Sequence, residues 1–479
     1  MLPVPSTERA RPEPTFALLV FLLTLASSAY VLLARQPLLF LGGLTDEWFP
    51  IGYNIAAYGT LGRGDQPILL RPPGYPAFIA GVLRLTTRVA PRPTAAYITV
   101  ATDLVELAQA MLLAATAAML FLWLRRRVGD QTAFAAGLLY GMNPYCLLLP
   151  GLMHYDVLHL FLLVAGCVAL DRALAHPEGA VAPMLAAGAV WGLAALVRPV
   201  TAPLPLLVIA MTLIRGFGRR RALTATAAFT VAMLAVIAPW TARNYRVAGR
   251  LIPINVQGWA ALWASTVMPL RMEPNEYQWY TVATAHWQPI YRRVTGEEYD
   301  YVGYIRHNVA LEAAFKEEAI RNLREKPGVY ARNVARSFLT MSLQINTALV
   351  SVFQRIQRTG ETVIQPWFWA GAENERAPTR ASRSTGALFG ILTALAGVGI
   401  ARGIRRRDTF LLVPGLVYLC IAAAHALTFF DFNYYYLRVP FVVVFAAIGA
   451  DTLGRRGRWV LLVALVLALA TSAVLALGF

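Results

Sequence analysis

The sequence has few cysteines, few lysines and no familiar nucleotide or zinc motif. Its three cysteines, Cys146, Cys167 and Cys420, all lie in hydrophobic segments, which predicts packing residues rather than disulfides or metal ligands. Lys316 and Lys326 are the only lysines among 43 basic residues, a bias typical of a GC-rich bacterial genome. No Walker, Rossmann or zinc-spacing pattern is present, so the sequence gives no support to chemistry of those kinds.

Charged residues are also scarce, at 14% of the chain, whereas hydrophobic residues make up 57%. This composition predicts an all-α polytopic membrane protein with about eleven transmembrane helices. The net charge of +17 would suggest nucleic acid in a soluble protein, but most of the excess lies in short loops, so no nucleic-acid partner is expected. The predicted spans are 15–34, 104–124, 132–150, 153–170, 181–197, 200–214, 222–240, 386–401, 409–428, 436–453 and 459–479.

The arginines of the short loops predict the orientation of these spans. By the positive-inside rule, the arginine-rich loops are cytoplasmic, which puts the N-terminus inside and the C-terminus outside. The first span lacks a small-residue cleavage site, so we expect a retained anchor rather than a signal peptide. The five loops are 125–131, 171–179, 215–221, 402–408 and 454–458.

Parity then places two large segments on the outer side and divides the chain into three parts. These are an N-terminal transmembrane module with an outer loop, an extracytoplasmic segment and a C-terminal group of helices. Within the extracytoplasmic segment, residues 309–343 look helical with a division at Pro327, but the sequence does not predict a fold for 256–385. The parts are 1–240 with its outer loop 35–103, then 241–385, and finally 386–479.

The outer loop carries two adjacent carboxylates and a rigidly held arginine. Asp46 and Glu47 form a natural general base or metal site, because an attacking hydroxyl must lose its proton. Arg71 precedes two prolines, which stiffen the backbone that aims its guanidinium. The alternative, a solvated interfacial loop with a helix-initiating aspartate, is equally consistent with this stretch alone.

Further polar residues fall at the outer ends of the predicted spans. Ionisable groups near a bilayer usually face a cavity or a partner, and arginines with carboxylates at one face suit a phosphate and a hydroxyl nucleophile. They are His154, Asp156, Arg198, Arg243, Asn244, Asp431 and Arg438.

Four of these residues have a plainer interpretation. Arg198 is a candidate for a snorkelling arginine. Against this interpretation, Pro199 and Pro203 break the hairpin at Arg198 and offer the charge no other route out of it. Asp156 is a candidate helix cap, and His154 a packing or hydrogen-bonding residue. Arg243 has the sequence context of an interfacial anchor beside aromatic residues.

Four stretches resemble the GT-C glycosyltransferases, specifically family 39 with the protein O-mannosyltransferases and the lipid A aminoarabinose and galacturonic acid transferases. The Asp-Glu pair follows the first span, as in that family. RPPGYPAFIAG (71–81), WGLAALVRPVTAP (191–203) and APWTARNYRVAGRLIPIN (238–255) are similar to its other motifs. The stretch HALTFFDFNYYYLRVP (425–440) is also similar, although Tyr436 and Leu437 replace the family's Arg-Tyr pair.

This resemblance implies a sugar donor linked to a lipid phosphate, usually polyprenyl phosphate, and inversion at the anomeric carbon. It implies that Asp46 is the catalytic base, with Glu47 beside it and Asp156 at the second acidic position of the site. Some relatives need a divalent metal, and a metal held by these three carboxylates is left open. The cofactor therefore stays unknown.

We therefore predict an inner-membrane glycosyltransferase that moves a sugar from a polyprenyl-phosphate donor to a hydroxyl acceptor on the periplasmic face. The rivals are a polymerase or ligase of lipid-linked glycans, a transporter or flippase, and a non-catalytic envelope subunit. A transporter often shows internal repeats, and this sequence shows none. Its charged residues are predicted at one face of the membrane instead. The predicted substrate-binding residues are Tyr53, Arg71, Tyr75, His154, Arg198, Arg243, Asn244 and Arg438.

Overall fold

A computed structural model describes eight stretches of the chain, which comprise residues 14–34, 48–63, 66–89, 93–267, 279–299, 301–343, 380–428 and 436–477. Nearly all the secondary structure in these stretches is helical, as the sequence predicts. The exception is a two-residue antiparallel pair, β1 (Gly62–Arg63) and β2 (Gln66–Pro67), in the outer loop.

The N-terminal module contains ten helices in the described residues. Several are short because prolines interrupt the apolar runs; short 3₁₀ turns cover Leu149–Leu152, Pro177–Gly179 and Pro199–Thr201. The helices are α1 (Pro14–Ala34), α2 (Trp48–Tyr58), α3 (Gly74–Thr86), α4 (Ala95–Leu124), α5 (Asp130–Gly141), α6 (Pro144–Leu148), α7 (Asp156–Ala175), α8 (Val181–Val197), α9 (Pro205–Ile214) and α10 (Arg219–Ala248).

In the described residues, the segment that the sequence left without a fold contains four helices around an aromatic core. The predicted break at Pro327 is confirmed, since one helix ends at Glu325 and the next begins at Pro327. Trp263, Trp287 and Phe315 contact one another, with ring centroids 5.0 to 6.3 Å apart. The helices are α11 (Gly258–Val267), α12 (Trp279–Thr295), α13 (Tyr301–Glu325) and α14 (Pro327–Leu343).

Four C-terminal helices complete the described chain, and α14 and α11 contact the end of one of them. The Tyr330 hydroxyl donates to the carbonyl of Leu427 at 2.7 Å, and Asn333 Nδ2 donates to the carbonyl of Ser265 at 2.9 Å. The C-terminal helices are α15 (Arg380–Arg406), α16 (Leu412–Leu427), α17 (Val439–Thr452) and α18 (Arg455–Leu477), with a 3₁₀ turn at Thr409–Leu411 before α16.

Seven helical stretches in the described residues are long and apolar enough to cross a membrane, and the bent pair of α5 and α6 with its 3₁₀ turn makes up to eight. The shorter apolar helices α8 and α9, together with α17, coincide with the three other predicted spans. The protein is therefore a multi-pass membrane protein. The count of eleven and the orientation stay predictions.

Glycines bring two pairs of these helices into close contact, as in many membrane helix bundles. A Cβ atom built at Gly188 on α8 would lie 2.1 Å from the Phe229 carbonyl oxygen on α10. A Cβ atom at Gly449 on α17 would lie 1.9 Å from the Leu395 carbonyl oxygen on α15. Any side chain at either position would have to push the two backbones apart.

We therefore expect Gly449→Ala to lower the stability of the folded protein by about 1–3 kcal/mol or more, as overpacked cores do. Gly397→Ala on α15 is the matched control, because a Cβ atom there meets nothing within 4 Å. Thermal unfolding in detergent measures both variants. Equal melting temperatures for the two would contradict the close packing of α15 against α17.

Candidate active site

A buried carboxylate lies where α7 begins, and three side chains surround it. Asp156 is 3% exposed, and one of its oxygens lies 2.6 Å from His154 Nδ1. Its other oxygen accepts a hydrogen bond from the Tyr436 hydroxyl and lies 3.7 Å from Arg198 Nη1. Met153, with φ of 46°, makes the left-handed turn that leads into His154. We call Asp156, His154, Arg198 and Tyr436 the Asp156 cluster.

Asp156 is not the cap of its helix. The N-cap position belongs to Tyr155, and no side-chain cap hydrogen bond is present there. The Asp156 carboxylate lies in the first turn, where the positive end of the helix dipole favours a negative charge. Its oxygens engage the other members of the cluster instead.

Arg198 occupies the junction that the prolines create. Helix α8 ends at Val197, and Arg198 adopts an extended backbone with φ of −147°, as expected for a residue before proline. Its Nη1 donates to the Tyr436 hydroxyl at 3.1 Å, and its guanidinium lies 5.3 Å from the centre of the Tyr155 ring. With a side chain only 6% exposed, Arg198 points into the protein, so it does not snorkel to water.

Trp48 joins the outer loop to this cluster. Its ring lies 6.1 Å from the ring of His154 and 5.2 Å from the ring of Tyr155, both edge to face. The guanidinium of Arg71 lies over Trp48, 5.0 Å from the ring centre. Asp46 and Glu47 lie outside the described residues and immediately precede Trp48 in the chain. Trp48 therefore contacts both Arg71 and His154 of the Asp156 cluster.

The backbone that carries Arg71 is held by the start of the outer segment. Asn255 Nδ2 donates to the Leu70 carbonyl at 3.0 Å, and the Val256 amide donates to the Leu69 carbonyl at 3.1 Å. Arg243 donates to the carbonyls of Ile68 at 3.0 Å and Leu61 at 2.8 Å. Arg243 thus fastens the loop before Arg71.

Asn244, which follows Arg243 in the Arg-Asn motif, also donates to backbone carbonyls. Asn244 is fully buried, and its Nδ2 donates to the carbonyls of Ile252 at 3.1 Å and Ile254 at 2.9 Å. The guanidinium of Arg243 also lies 4.7 Å from the centre of the Trp240 ring, in agreement with the aromatic anchor considered from the sequence. Both side chains bond to backbone carbonyls, and their predicted substrate contacts stay predictions.

The two tyrosines predicted to bind substrate lie in the same buried cluster as Trp48. Tyr75 is fully buried and its hydroxyl donates to Gln109 Oε1 at 3.2 Å. Burial raises the pKa of the Tyr75 phenol well above its usual range, and the charges of Asp156 and Glu106 act in the same direction. Tyr53 is 9% exposed and stacks on Phe49 with ring centres 6.4 Å apart. Tyr75 also contacts Trp48, with ring centres 5.7 Å apart.

The segment before α17 supplies a cluster member that the sequence reasoning missed. Tyr436 appeared in the sequence only as a departure from the family's Arg-Tyr pair, and its hydroxyl bonds both Asp156 and Arg198. Arg438 is 3% exposed and points elsewhere: its Nη1 donates to the Met341 carbonyl at 3.3 Å, and its guanidinium lies 5.5 Å from the Phe389 ring centre. The tyrosine run before Arg438 was the available signal.

The metal site considered from the sequence stays an open prediction. Among the described residues, no group of three or more histidine, cysteine, aspartate or glutamate side chains is arranged to hold a metal ion. Two of the three proposed ligands, Asp46 and Glu47, lie outside the described residues, as does Asp431.

The first comparison concerns sequence. Residues 71–242 match the profile of a family described as dolichyl-phosphate-mannose-protein mannosyltransferase. This segment begins at Arg71 and includes three members of the Asp156 cluster, but not Tyr436. A search of curated proteins found no match to the chain.

The second comparison concerns solved structures. The archaeal oligosaccharyltransferase AglB from Archaeoglobus fulgidus, in complex with an inhibitory peptide and a dolichol-phosphate, is 14% identical, with a TM-score of 0.52 over 97% of this chain and 56% of that chain. The apo form of the A. fulgidus oligosaccharyltransferase is 13% identical, with a TM-score of 0.53 over 96% and 56%. ArnT from Cupriavidus metallidurans bound to undecaprenyl phosphate is 18% identical, with a TM-score of 0.40 over 93% and 79%.

These matches confirm the predicted resemblance to the GT-C membrane glycosyltransferases. The chain has the fold of the archaeal oligosaccharyltransferase, and it spans about half the length of those archaeal proteins. Residues 71–242 are similar to a family described as mannosyltransferases, and the fold is similar to that of an oligosaccharyltransferase, in agreement with the predicted glycosyltransferase class.

Proposed function

We propose that this protein transfers a sugar, with inversion, from a polyprenyl-phosphate donor to a hydroxyl acceptor at the extracytoplasmic membrane face. The observation that carries the proposal is the position of Trp48, whose ring contacts both Arg71 and His154 of the Asp156 cluster. This arrangement places two arginines and a carboxylate system at one end of an apolar helix bundle. The dolichol-phosphate bound to the archaeal oligosaccharyltransferase is consistent with a lipid-phosphate ligand for this fold.

Asp46 is the proposed catalytic base. Asp46 and Glu47 immediately precede Trp48, whose ring contacts His154 and Arg71. Because consecutive Cα atoms lie about 3.8 Å apart, the chain keeps both carboxylates close to Trp48. In the reaction, the acceptor oxygen forms a bond to the anomeric carbon while its proton passes to the Asp46 carboxylate. The bond from the anomeric carbon to the phosphate oxygen breaks on the opposite face, and its electron pair leaves with polyprenyl phosphate.

Arg71 and Arg198 are the proposed ligands of the leaving phosphate. A guanidinium grips two phosphate oxygens at once and stabilises the negative charge that grows as the bond breaks. Asp156 and Tyr436 fix the direction of Arg198 through the 3.1 Å hydrogen bond and the ion pair described above. His154 in turn holds Asp156, and outer-loop aromatic residues contact the sugar.

The direct test is donor turnover by the purified protein reconstituted in sealed liposomes. We expect one member of a panel of polyprenyl-phosphate sugars to release polyprenyl phosphate when a hydroxyl acceptor is present. A transporter or flippase would move the lipid across the bilayer without cleaving it. Release of intact lipid-linked sugar across the membrane, with no polyprenyl phosphate formed, would overturn the proposal.

The proposed orientation gives a separate prediction about thiol labelling. In a background without the three native cysteines, Gly218→Cys should react only with a membrane-permeant reagent, because the loop at 215–221 is assigned to the cytoplasm. Glu297→Cys should also react with an impermeant reagent in cells with a permeabilised outer membrane. Glu297 is exposed and avoids the strain of a cysteine at Gly296, where φ is 76°. The reverse pattern would put the site in the cytoplasm.

A further inference from the structure

A second polar concavity lies in the outer helices, between α11, α12 and α13. It is an open groove of about 430 Å³, a volume within the range of ligand sites in proteins. Trp263 and Ile290 contribute to its apolar wall, and Arg293, Glu318, Arg321 and Asn322 line its polar side. None of these residues belongs to the Asp156 cluster or to the loop that carries Arg71.

The polar side of the groove carries an excess positive charge. Glu318 has a side chain only 10% exposed, and it accepts a hydrogen bond from Arg293 Nη1 at 2.9 Å and another from Arg321. The two arginine side chains are 50% and 56% exposed. A guanidinium has five N–H donors, so the two arginines that line the groove retain donors beyond those that bond Glu318.

A purely structural account explains only half of this arrangement. The pair of Arg293 and Glu318 ties α12 to α13, which is a plausible reason for one arginine. Arg321 lies on the same helix as Glu318, three residues further on, so it adds no tie between helices. Half-exposed ion pairs also contribute little to stability. What Arg321 does add is a positive charge at the mouth of a partly apolar groove.

We propose that this groove binds an acidic saccharide, in which the arginines hold a phosphate or carboxylate and the apolar wall contacts the sugar ring. If the glycosyl transfer proposed above is correct, this saccharide is part of the acceptor. Helix α11, which lines the groove, contacts the end of α16 that leads toward Tyr436, because Ser265 Oγ donates to the Leu427 carbonyl at 3.5 Å, so both sites lie at the same end of the bundle. The arginines and the apolar wall of the groove suit two sources of this ligand, an acidic sugar in solution or the acidic sugar headgroup of a lipid.

Binding to the full-length protein in phosphatidylcholine nanodiscs tests this assignment. The probes are glucose 6-phosphate, neutral glucose and inorganic phosphate, with nanodiscs that contain phosphatidic acid as a lipid competitor. We expect glucose 6-phosphate to bind more tightly than either of the other soluble probes. Arg321→Gln should weaken that binding roughly tenfold or more, as expected for loss of a charged hydrogen bond.

Two control variants separate binding from folding. Arg292→Gln removes an exposed arginine of α12 that pairs with Glu298 and does not line the groove. This variant should therefore bind glucose 6-phosphate normally. Arg321→Lys keeps the charge and should retain part of the binding. Melting temperatures check that all three variants are folded.

The outcomes distinguish the two proposals. Equal binding by glucose and glucose 6-phosphate, or by inorganic phosphate and glucose 6-phosphate, would overturn the acidic-saccharide assignment. So would unchanged binding in Arg321→Gln, or binding of phosphatidic acid nanodiscs alone. Saccharide binding that depends on Arg321 would support the proposed binding groove even if donor turnover were absent. Donor turnover without such binding would support the proposed glycosyl transfer and overturn the proposed binding groove.

Discussion

Asp46→Asn is expected to lower turnover by about 10²–10⁴-fold, the usual effect of losing a general base, while the affinity for the donor stays nearly unchanged. Asparagine keeps the size of the side chain but cannot accept the acceptor's proton. The measurements are the rate of polyprenyl phosphate release and equilibrium binding of the donor lipid. Near-normal turnover in Asp46→Asn would end the assignment of this residue as the base.

Glu47→Gln serves as the matched comparison, because the two carboxylates are neighbours in the chain. If Asp46 acts alone as a base, Glu47→Gln should reduce turnover much less. If the pair holds a divalent metal, both substitutions and treatment with a chelator should produce similar losses. The comparison therefore decides the question of metal dependence that the sequence left open.

Arg198→Lys is expected to lower turnover by about 10²–10³-fold, the range found when one donor to a developing negative charge is removed. Lysine keeps the charge but loses the planar fork that grips two phosphate oxygens and the geometry of the bond to Tyr436. Because the phosphate gains charge as the glycosidic bond breaks, turnover should fall more than donor affinity does. Arg71→Ala and Arg198→Ala should follow the same pattern.

Arg215→Lys is the matched control for this substitution. Arg215 also has a buried side chain, 9% exposed, whose Nη2 lies 2.8 Å from Asp171 Oδ1. Asp171 lies on α7 fifteen residues after Asp156, roughly 22 Å along the helix toward the opposite end of the bundle. Loss of a guanidinium there should affect stability in a similar way but leave turnover intact.

A double variant tests whether Arg71 and Arg198 hold the same phosphate. If they do, Arg71→Ala combined with Arg198→Ala should lose less activity than the product of the single losses. Arg198→Ala also leaves Asp156 buried beside a missing partner, which costs about 3–5 kcal/mol in comparable cases, so melting temperatures must accompany the rates. Full activity in Arg198→Lys, or multiplicative losses in the double variant, would rule out a shared phosphate clamp.

The parts of this structure that the sequence predicted depend on local rules. Pro199 ends a helix next to Arg198 because proline restricts the residue before it, and Pro327 begins a new helix for the same kind of reason. Long apolar runs likewise identified the helices that can cross a membrane. These signals lie within a few residues of the feature they determine.

The contacts that the sequence could not predict join distant parts of the chain. Tyr436 and Asp156 are 280 residues apart, and Arg243 bonds a carbonyl 175 residues away. Such pairs depend on how the helices pack, which no local pattern records. For the same reason, the sequence did not predict that Arg243 donates to backbone carbonyls of the loop that leads to Arg71.

The most direct test of the central claim follows one donor molecule to its products. Purified protein is incubated with the polyprenyl-phosphate sugar that it accepts, and both the released lipid and the configuration of the new glycosidic bond are measured by nuclear magnetic resonance. The account predicts one polyprenyl phosphate for each sugar transferred, with a β-linked donor giving an α-linked product, or the reverse. Transfer with retained configuration, or no release of polyprenyl phosphate from any donor, would contradict it.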